Sequence, residues 1–220
     1  MKFLRALLPS CSHCSSPSFS FLCQGCFDEL KFSDACAVCG CFSAVNPCLS
    51  CSGKSRSWKN LSVGFKYEGG LREFILDIKD HGKPERIGEL EAKHLPKLKG
   101  QYDFIVYAAS DPIQTKARLF DSTRVLAERL SRLWKVPLLE DIFDRKVFLK
   151  SQKELHLETR KKYLKRIISL SSLASVTKDK NLLFIDDIMT TGATLEVHLK
   201  LLLGLARSVD VFCLARTLKV

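Results

Sequence analysis

The chain has 220 residues, of which 46% are hydrophobic and 27% charged, proportions that suit one medium globular domain plus a small accessory module. Its formal net charge of +11 favours acidic partners such as nucleic acid, phosphorylated metabolites or an anionic membrane surface. No apolar run reaches the roughly 18 residues that a membrane-spanning helix requires, and the first residues do not resemble a secretory signal. We therefore expect a cytoplasmic protein, and a peripheral position at the inner face of the membrane stays open.

Cysteines dominate the first quarter of the sequence. Eight of the ten form the pattern C-x2-C-x8-C-x2-C twice, and the second copy is the first displaced by 25 residues. Each C-x2-C pair presents two thiolates on one side of a tight turn, as at a tetrahedral zinc ion, and a reducing compartment favours metal binding over disulfides. The predicted zinc ligands are Cys11, Cys14, Cys23, Cys26, Cys36, Cys39, Cys48 and Cys51.

Zinc would also explain how this cysteine segment folds. A segment of about 50 residues rich in serine buries too little apolar area to fold alone, whereas a structural zinc contributes on the order of 10 kcal/mol. We expect one or two zinc sites, structural because cysteine supplies all four ligands, with a role in binding DNA, RNA or protein. Pairing within each copy is favoured and a crossed pairing stays open, while disulfides or unliganded core thiols are the alternative. Cys41 and Cys213 lie outside the repeat and are predicted to be ordinary thiols.

The stretch at residues 51–60, rich in serine, glycine and lysine, is typical of a linker. It predicts a four-cysteine double zinc-ribbon module at residues 1–54 and a second domain at residues 55–220. In the second domain, continuous apolar strands alternate with helical patterns, which predicts an α/β fold with an open parallel sheet covered by helices on both faces. The predicted elements, in chain order, are strand 61–67, helices 70–80 and 85–95, strand 104–109, helix 121–134, strand 182–185, helix 194–206 and strand 209–215.

Residues 144–180 form a long, polar and weakly periodic segment in which basic residues crowd from Arg145 to Arg166. Two interpretations stay open: a solvated helix face with a loop, or a mobile lid or arm over an anionic ligand. In the second interpretation, the basic side chains contact the phosphates of a nucleic acid. The candidate residues for that contact are Lys146, Lys150, Arg160, Lys161 and Lys162.

The stretch NLLFIDDIMTTGAT at residues 181–194 combines an apolar strand, two adjacent carboxylates and a turn of small residues. Ligands of an open parallel sheet bind beyond the carboxyl ends of its strands, where free N–H groups of a turn and of a helix N-terminus attract phosphate. Gly192 lets the backbone approach that phosphate closely. Asp186 and Asp187 beside a phosphate require hydroxyl groups or a divalent cation between them, so a sugar phosphate with a vicinal diol suits this stretch.

LLFIDDIMTTGAT resembles the phosphoribosyl pyrophosphate (PRPP) loop of type I phosphoribosyltransferases. The resemblance implies a phosphoribosyltransferase-like domain that binds PRPP with Mg²⁺, in which Asp186 and Asp187 hold the ribose hydroxyls. It also implies a pyrophosphate loop between Ala109 and Arg118, where Lys116 and Arg118 would neutralise the pyrophosphate. The residues that would bind the 5-phosphate are Thr190, Thr191, Gly192, Ala193 and Thr194.

The combination of this loop with the double cysteine repeat is similar to the ComF (GntX-like) competence proteins. YEGGLREFILDIKDHGK at 67–83, RKVFLKSQKEL at 145–155 followed by Arg160, and VFCLART at 211–217 carry the same resemblance. The resemblance implies DNA uptake in natural transformation, with single-stranded DNA handled on the cytoplasmic side and DNA-translocation proteins among the partners. The alternative function is an active phosphoribosyltransferase that uses an unidentified acceptor.

Overall fold

The computed structural model describes residues 10–32, 35–54, 56–147 and 157–217. Four strands pair in parallel in the order β1-β6-β5-β2, and β3 and β4 form a separate antiparallel pair. This parallel sheet confirms the predicted α/β class. The strands are β1 (Leu61–Lys66), β2 (Phe104–Tyr107), β3 (Phe143–Arg145), β4 (Ile168–Leu170), β5 (Asn181–Met189) and β6 (Ser208–Arg216).

Six α-helices surround these strands in the described ranges. The helices predicted at 70–80 and 121–134 are present to within one residue at each end, and the one predicted at 194–206 stops at Leu202. Asp121 begins the 122–134 helix by accepting hydrogen bonds from the N–H groups of Thr123 and Arg124. The helices are α1 (Gln24–Leu30), α2 (Gly69–Lys79), α3 (Pro112–Arg118), α4 (Ser122–Trp134), α5 (Leu157–Ile167) and α6 (Ala193–Leu202).

Alternate residues of the strands supply two apolar layers, one on each face of the sheet. On β5, Leu183 and Ile185 join the layer that contains α2 and α4, whereas Leu182 and Phe184 join the layer that contains α6. Side chains that alternate between two covered faces produce a nearly continuous apolar strand. This arrangement explains why the sheet strands were recognisable as short apolar runs.

The helix predicted at 85–95 is wrong. The chain there forms two short 3-10 helices, Pro84–Glu89 and Ala92–His94. The guanidinium of Arg129, on α4, donates hydrogen bonds to the carbonyl groups of Gly88 and Leu90, which an α-helix would use internally. A proline at position 96 further disfavours helical backbone in the residue before it.

The basic segment contains more regular structure than its composition indicated. Strand β3 pairs antiparallel with β4, and α5 precedes β4 directly. Helix α5 packs on α6 through an apolar cluster that includes Leu164, Ile167 and Val197. Residues 148–156, which include part of the predicted lid, lie outside the described residues. Within the described ranges, no helix is both long and apolar enough to cross a membrane.

Candidate functional site

Each copy of the cysteine repeat brings its own four sulfur atoms together, all within 4.8 Å of one another. The Sγ atoms of Cys14 and Cys23 lie 3.6 Å apart, and those of Cys39 and Cys48 lie 3.8 Å apart. A tetrahedral zinc ion with Zn–S bonds of about 2.3 Å places its sulfur atoms about 3.8 Å apart, so both groups could hold zinc. The groups follow the pairing within each copy and comprise Cys11, Cys14, Cys23 and Cys26, and Cys36, Cys39, Cys48 and Cys51.

Backbone N–H groups donate to one sulfur atom in each group. The N–H of His13 lies 3.4 Å from Cys11 Sγ, and those of Val38 and Cys48 lie 3.4 and 3.3 Å from Cys36 Sγ. Burial acts to raise the pKa of Cys36, but the backbone donors outweigh it and lower that pKa to about 6. The thiolate is the form that binds metal, so this backbone geometry suits a zinc ligand.

The acidic pair lies near the carboxyl end of β5, where its two carboxylates have different surroundings. Asp186 is buried and accepts a hydrogen bond from the N–H of Asp187 at 3.0 Å. Asp187 forms an ion pair with Lys79, the last residue of α2, and the Thr123 hydroxyl lies 3.5 Å from its Oδ2. Lys79 therefore offsets part of the negative charge that two adjacent aspartates create.

The turn that follows β5 has the backbone geometry that the sequence indicated. Gly192 has φ of +78° and precedes α6, and an added Cβ would lie 3.0 Å from Cε of Met189. A left-handed conformation with this little room favours glycine. The Thr191 hydroxyl accepts a long hydrogen bond, 3.4 Å, from the N–H of Ala193 at the start of the helix. The turn thus leads directly into the N-terminus of a ten-residue helix.

A buried arginine supports this turn. Arg216, at the end of β6, is 2% exposed and donates from Nη1 to the carbonyl groups of Met189, at 3.0 Å, and Thr190. Its Nη2 lies 3.2 Å from the sulfur of Cys41, which belongs to the second cysteine copy but not to its four ligands. Arg216 therefore joins the turn after β5 to the cysteine segment.

A buried histidine connects α6 to the loop that follows β2. His198 donates from Nδ1 to the Thr194 carbonyl at 2.8 Å, and its Nε2 accepts a hydrogen bond from the N–H of Ala109 at 3.0 Å. Burial lowers the pKa of His198 to about 4, so the neutral ring can fill both roles at neutral pH. The Ala109 N–H, within the predicted pyrophosphate loop, therefore already has a hydrogen-bond acceptor in His198.

Arg145 holds the same loop from the opposite side. Its Nη1 donates to the Ala109 carbonyl at 2.8 Å, and its Nη2 lies 3.2 Å from Oδ2 of Asp111. The side chain is 9% exposed. Asp111 in turn begins α3 by accepting a hydrogen bond from the N–H of Ile113. The loop is consequently fixed by contacts with β3 and α6 as well as by its own helix.

The loop after β2 and the carboxyl end of β5 line a cavity of about 250 Å³. Of the residues predicted from the motif, Asp186, Asp187, Thr194 and Arg118 line it, whereas the exposed Lys116 and the turn residues Thr190, Thr191, Gly192 and Ala193 are not among its lining residues. Arg118 also donates to Asp80 at 3.0 Å. Other lining residues include Lys79, Ser110, Asp111, Thr123 and Arg145.

Sequence reasoning missed the contributions of Lys79, Thr123, Arg145 and His198 to this cavity and its loops. Arg145 was predicted as part of a basic segment and of a motif, without a role in the site, and Lys79 lies within a helical pattern that gives no local sign of a site. Lys79, Thr123 and Arg145 lie far from Asp187 in the sequence, so spacing gives no signal for them. The available signal for Arg145 was the motif RKVFLKSQKEL, where it occupies the first position.

The basic residues predicted to contact nucleic acid have different environments. Lys146 and Lys162 are exposed, and Lys161 forms an ion pair with Glu196 at 2.9 Å. The backbone of Arg160 lies in α5, and Lys150 lies outside the described residues.

The fold and these sites define an α/β protein with loops converging at the carboxyl ends of a parallel sheet and with two four-cysteine groups near its N-terminus. No family model matches the chain. The chain is 25% identical over 221 residues to the curated "Competence protein F" of Haemophilus influenzae, and the similarity covers 94% of this chain and 96% of that protein. The resemblance to ComF competence proteins is thereby confirmed.

A solved structure offers a weaker similarity. It is titled "Crystal Structure of a Hypothetical Protein from Neisseria gonorrhoeae with bound ppGpp" and is 16% identical to this chain. It has a TM-score of 0.36, and the match covers 72% of this chain and 73% of that one. A score this low supports no statement about the chain.

Proposed function

We propose that the protein takes part in DNA uptake during natural transformation, that it handles single-stranded DNA on the cytoplasmic side, and that its main cavity binds PRPP. Similarity to Competence protein F over nearly the whole of both chains supports the uptake role. The observation that carries the PRPP proposal is one cavity in which two carboxylates from β5 lie with cationic side chains from other elements. The ribose diol of PRPP requires hydrogen-bond acceptors, and the phosphates of PRPP require cations.

In this proposal, Asp186 and Asp187 accept hydrogen bonds from the ribose hydroxyls. The turn at residues 190–194 and the N-terminus of α6 bind the 5-phosphate. Mg²⁺ would be held by phosphate oxygens and the carboxylates, ligands of the kind it prefers, and it would supply charge neutralisation. Lys79 forms an ion pair with Asp187 and lines the cavity. Its ammonium group would contact a bound phosphate as well as Asp187.

The DNA would follow the basic segment and the zinc module. Exposed lysines such as Lys146 and Lys162, together with Lys150, Arg160 and Lys161, would contact phosphates without reading sequence. Phe42 is 64% exposed and could stack on a base, whereas Trp58 is buried with its ring N–H near the Ala37 carbonyl and is not free to stack. DNA-translocation proteins remain proposed partners, and a peripheral position at the inner face of the membrane remains part of this proposal.

A phosphoribosyltransferase activity is the second candidate, favoured because the loop after β2 and the carboxylates of β5 line one cavity. Pyrophosphate would leave C1 of the ribose as an acceptor bonds to that carbon. Arg118, which lines the cavity, would stabilise the charge on the leaving group. Lys116 would have to reach in from its exposed position on α3.

Titration of PRPP and Mg²⁺ by calorimetry tests the cavity. We expect Asp187→Asn to weaken PRPP binding at least tenfold, because the variant loses a charged acceptor for the ribose diol. Asp144→Asn is the matched control, since Asp144 is exposed on β3 and does not line the cavity. Equal affinity in wild type and Asp187→Asn would refute the assignment, and pyrophosphate release with an added acceptor would establish the second candidate.

Fluorescence anisotropy with a labelled single-stranded oligonucleotide tests DNA handling. Affinity should fall as salt rises, and Lys162→Ala should reduce the slope of log affinity against log salt by about 1 unit if Lys162 contacts one phosphate. Lys99→Ala, an exposed lysine on another loop, should leave the slope unchanged. Absence of binding at low salt would rule out the DNA role.

A further inference from the structure

A second cavity of about 180 Å³ adjoins the first one, and the two share Ala109, Ser110 and Arg145 in their walls. A site needs only about 10–15 Å³ of this volume to hold one water molecule, so the second cavity has room for a small organic group. It lies between the loop after β2 and residues 139–145. The proposed PRPP site does not use it.

A largely buried tyrosine, whose hydroxyl has no partner in the described ranges, lines this cavity. Tyr107, the last residue of β2, lines the cavity and is only 9% exposed. Among the residues that the structure describes, none forms a hydrogen bond with its hydroxyl. Burial, with added repulsion from nearby carboxylates, raises the pKa of Tyr107, which keeps the hydroxyl neutral. A ligand in the cavity would supply a hydrogen-bond partner for this hydroxyl.

Two carboxylates line the same cavity. Oδ1 of Asp121 accepts a hydrogen bond from the Ser110 hydroxyl and caps α4, while its Oδ2 has no partner within the described ranges. Asp141 is exposed and has φ of +55°, a conformation that non-glycine residues rarely adopt and that Asp and Asn tolerate best. The charge of Arg145 is already paired with Asp111. The polar wall therefore carries two carboxylates beside the guanidinium of Arg145, whose charge Asp111 offsets.

The remaining walls are apolar and are formed by Pro112, Leu139, Ile142 and Phe143. Apolar walls with a few polar groups on one side are the usual composition of small-molecule sites, and the polar groups select the ligand. The two carboxylates would repel an anionic ligand here. A cationic group with N–H donors would satisfy both carboxylates and the acceptor lone pairs of the Tyr107 hydroxyl.

We propose that this second cavity is a binding subsite for a small organic cation with N–H donors, such as a primary ammonium or guanidinium group. The cation subsite does not depend on PRPP binding, and only its position next to a sugar phosphate rests on the proposed function. If the transferase candidate holds, the cavity supplies its acceptor class, an amine positioned next to the ribose. A net charge of +11 opposes adventitious binding of cations elsewhere on the protein, so a measured amine affinity reports on this cavity.

Saturation-transfer NMR and calorimetry with agmatine and putrescine test this proposal, with butane-1,4-diol as an uncharged probe of similar length. We expect both amines to bind and the diol not to bind. Asp141→Asn should reduce amine affinity about tenfold and keeps a residue that tolerates the left-handed backbone. Tyr107→Phe should reduce it about fivefold, because one hydrogen bond is lost.

Two controls separate the subsite from general effects on charge or folding. Asp144→Asn removes a neighbouring exposed carboxylate that does not line the cavity, and Tyr102→Phe removes a tyrosine hydroxyl that donates to Asp210 elsewhere. Both should leave amine affinity unchanged, with thermal unfolding monitored for each variant. No amine binding, equal affinity in Asp141→Asn, or preferential binding of adenine over both amines would each overturn the proposal.

The same titrations distinguish this proposal from the proposed function. Amine binding that depends on Tyr107 and Asp141 but occurs in a protein that fails to bind PRPP would support the subsite and refute the PRPP pocket. PRPP binding without amine binding would refute the subsite alone.

Discussion

The two cysteine copies share the backbone of their first knuckle but differ in their attachments to the rest of the molecule. Isolated bridges join Ser10 to Pro17 and Ala35 to Phe42, pairs that are 25 residues apart in the sequence, like the cysteines themselves. The N–H of each first cysteine donates to a carbonyl five residues later at 2.8 Å in both copies. Identical ligand spacing therefore produces the same turn twice.

The residues between the ligands differ and decide what each copy contacts. In the first copy, Phe21 stacks on Phe74 of α2 at 4.3 Å, and Phe27 approaches Phe65 of β1 at 5.5 Å, both inside the main core. The first copy exposes Phe19, and the second exposes Phe42 and Leu49 without placing a phenylalanine in the main core. Cysteine spacing therefore specifies a knuckle, whereas the intervening apolar residues specify whether that knuckle is part of the core.

The largest difference is expected when one ligand is removed from each copy. Cys14→Ser and Cys39→Ser occupy equivalent positions, and each should remove one zinc ion per chain. A structural zinc is worth on the order of 10 kcal/mol, as much as the stability of a whole domain, so Cys14→Ser should abolish the cooperative unfolding transition because its copy supports the core. Cys39→Ser should keep that transition.

Zinc content by mass spectrometry and thermal unfolding by circular dichroism measure this difference. Equal losses of the unfolding transition in the two variants would contradict the distinction between the copies.

A smaller difference is expected when only the apolar attachment is removed. Phe27→Ala should lower the free energy of unfolding by about 3–5 kcal/mol, because it empties a buried ring site between Phe65 and His94. Its equivalent in the second copy is Ser52, an exposed residue, and Ser52→Ala should change stability by less than about 0.5 kcal/mol. Urea unfolding of the zinc-loaded proteins checks both values, and a loss below about 1 kcal/mol for Phe27→Ala would argue that the first copy is only loosely attached.

The smallest effect concerns the turn inside each knuckle. Ser15 and Gly40 are equivalent and have φ of +60° and +68°. A Cβ at Gly40 would lie 3.0 Å from Val63 and 3.1 Å from Arg216, so Gly40→Ala should cost about 1–3 kcal/mol. Ser15 is exposed, and Ser15→Ala should be nearly neutral. The same unfolding assay compares them, and equal effects would show that Gly40 is not held closely against β1.

The sequence predicted the features that depend on local pattern. The strands were recognisable as apolar runs, the cysteine groups as a repeat, and the turn after β5 as a glycine beside threonines. The helix at 85–95 was wrong because Arg129, from a distant helix, takes the carbonyl groups that would have sustained it. Lys79, Arg145 and His198 enter the candidate site only through tertiary packing, which no spacing along the chain reveals. The division into residues 1–54 and 55–220 stays a prediction.

Arg216 places a buried positive charge beside the turn after β5. No carboxylate within the described ranges lies close enough to its guanidinium to form an ion pair. The carbonyl groups of Met189 and Thr190 stabilise this charge without cancelling it. An anion held at the turn would therefore be attracted by a buried cation whose charge no carboxylate in the described ranges offsets.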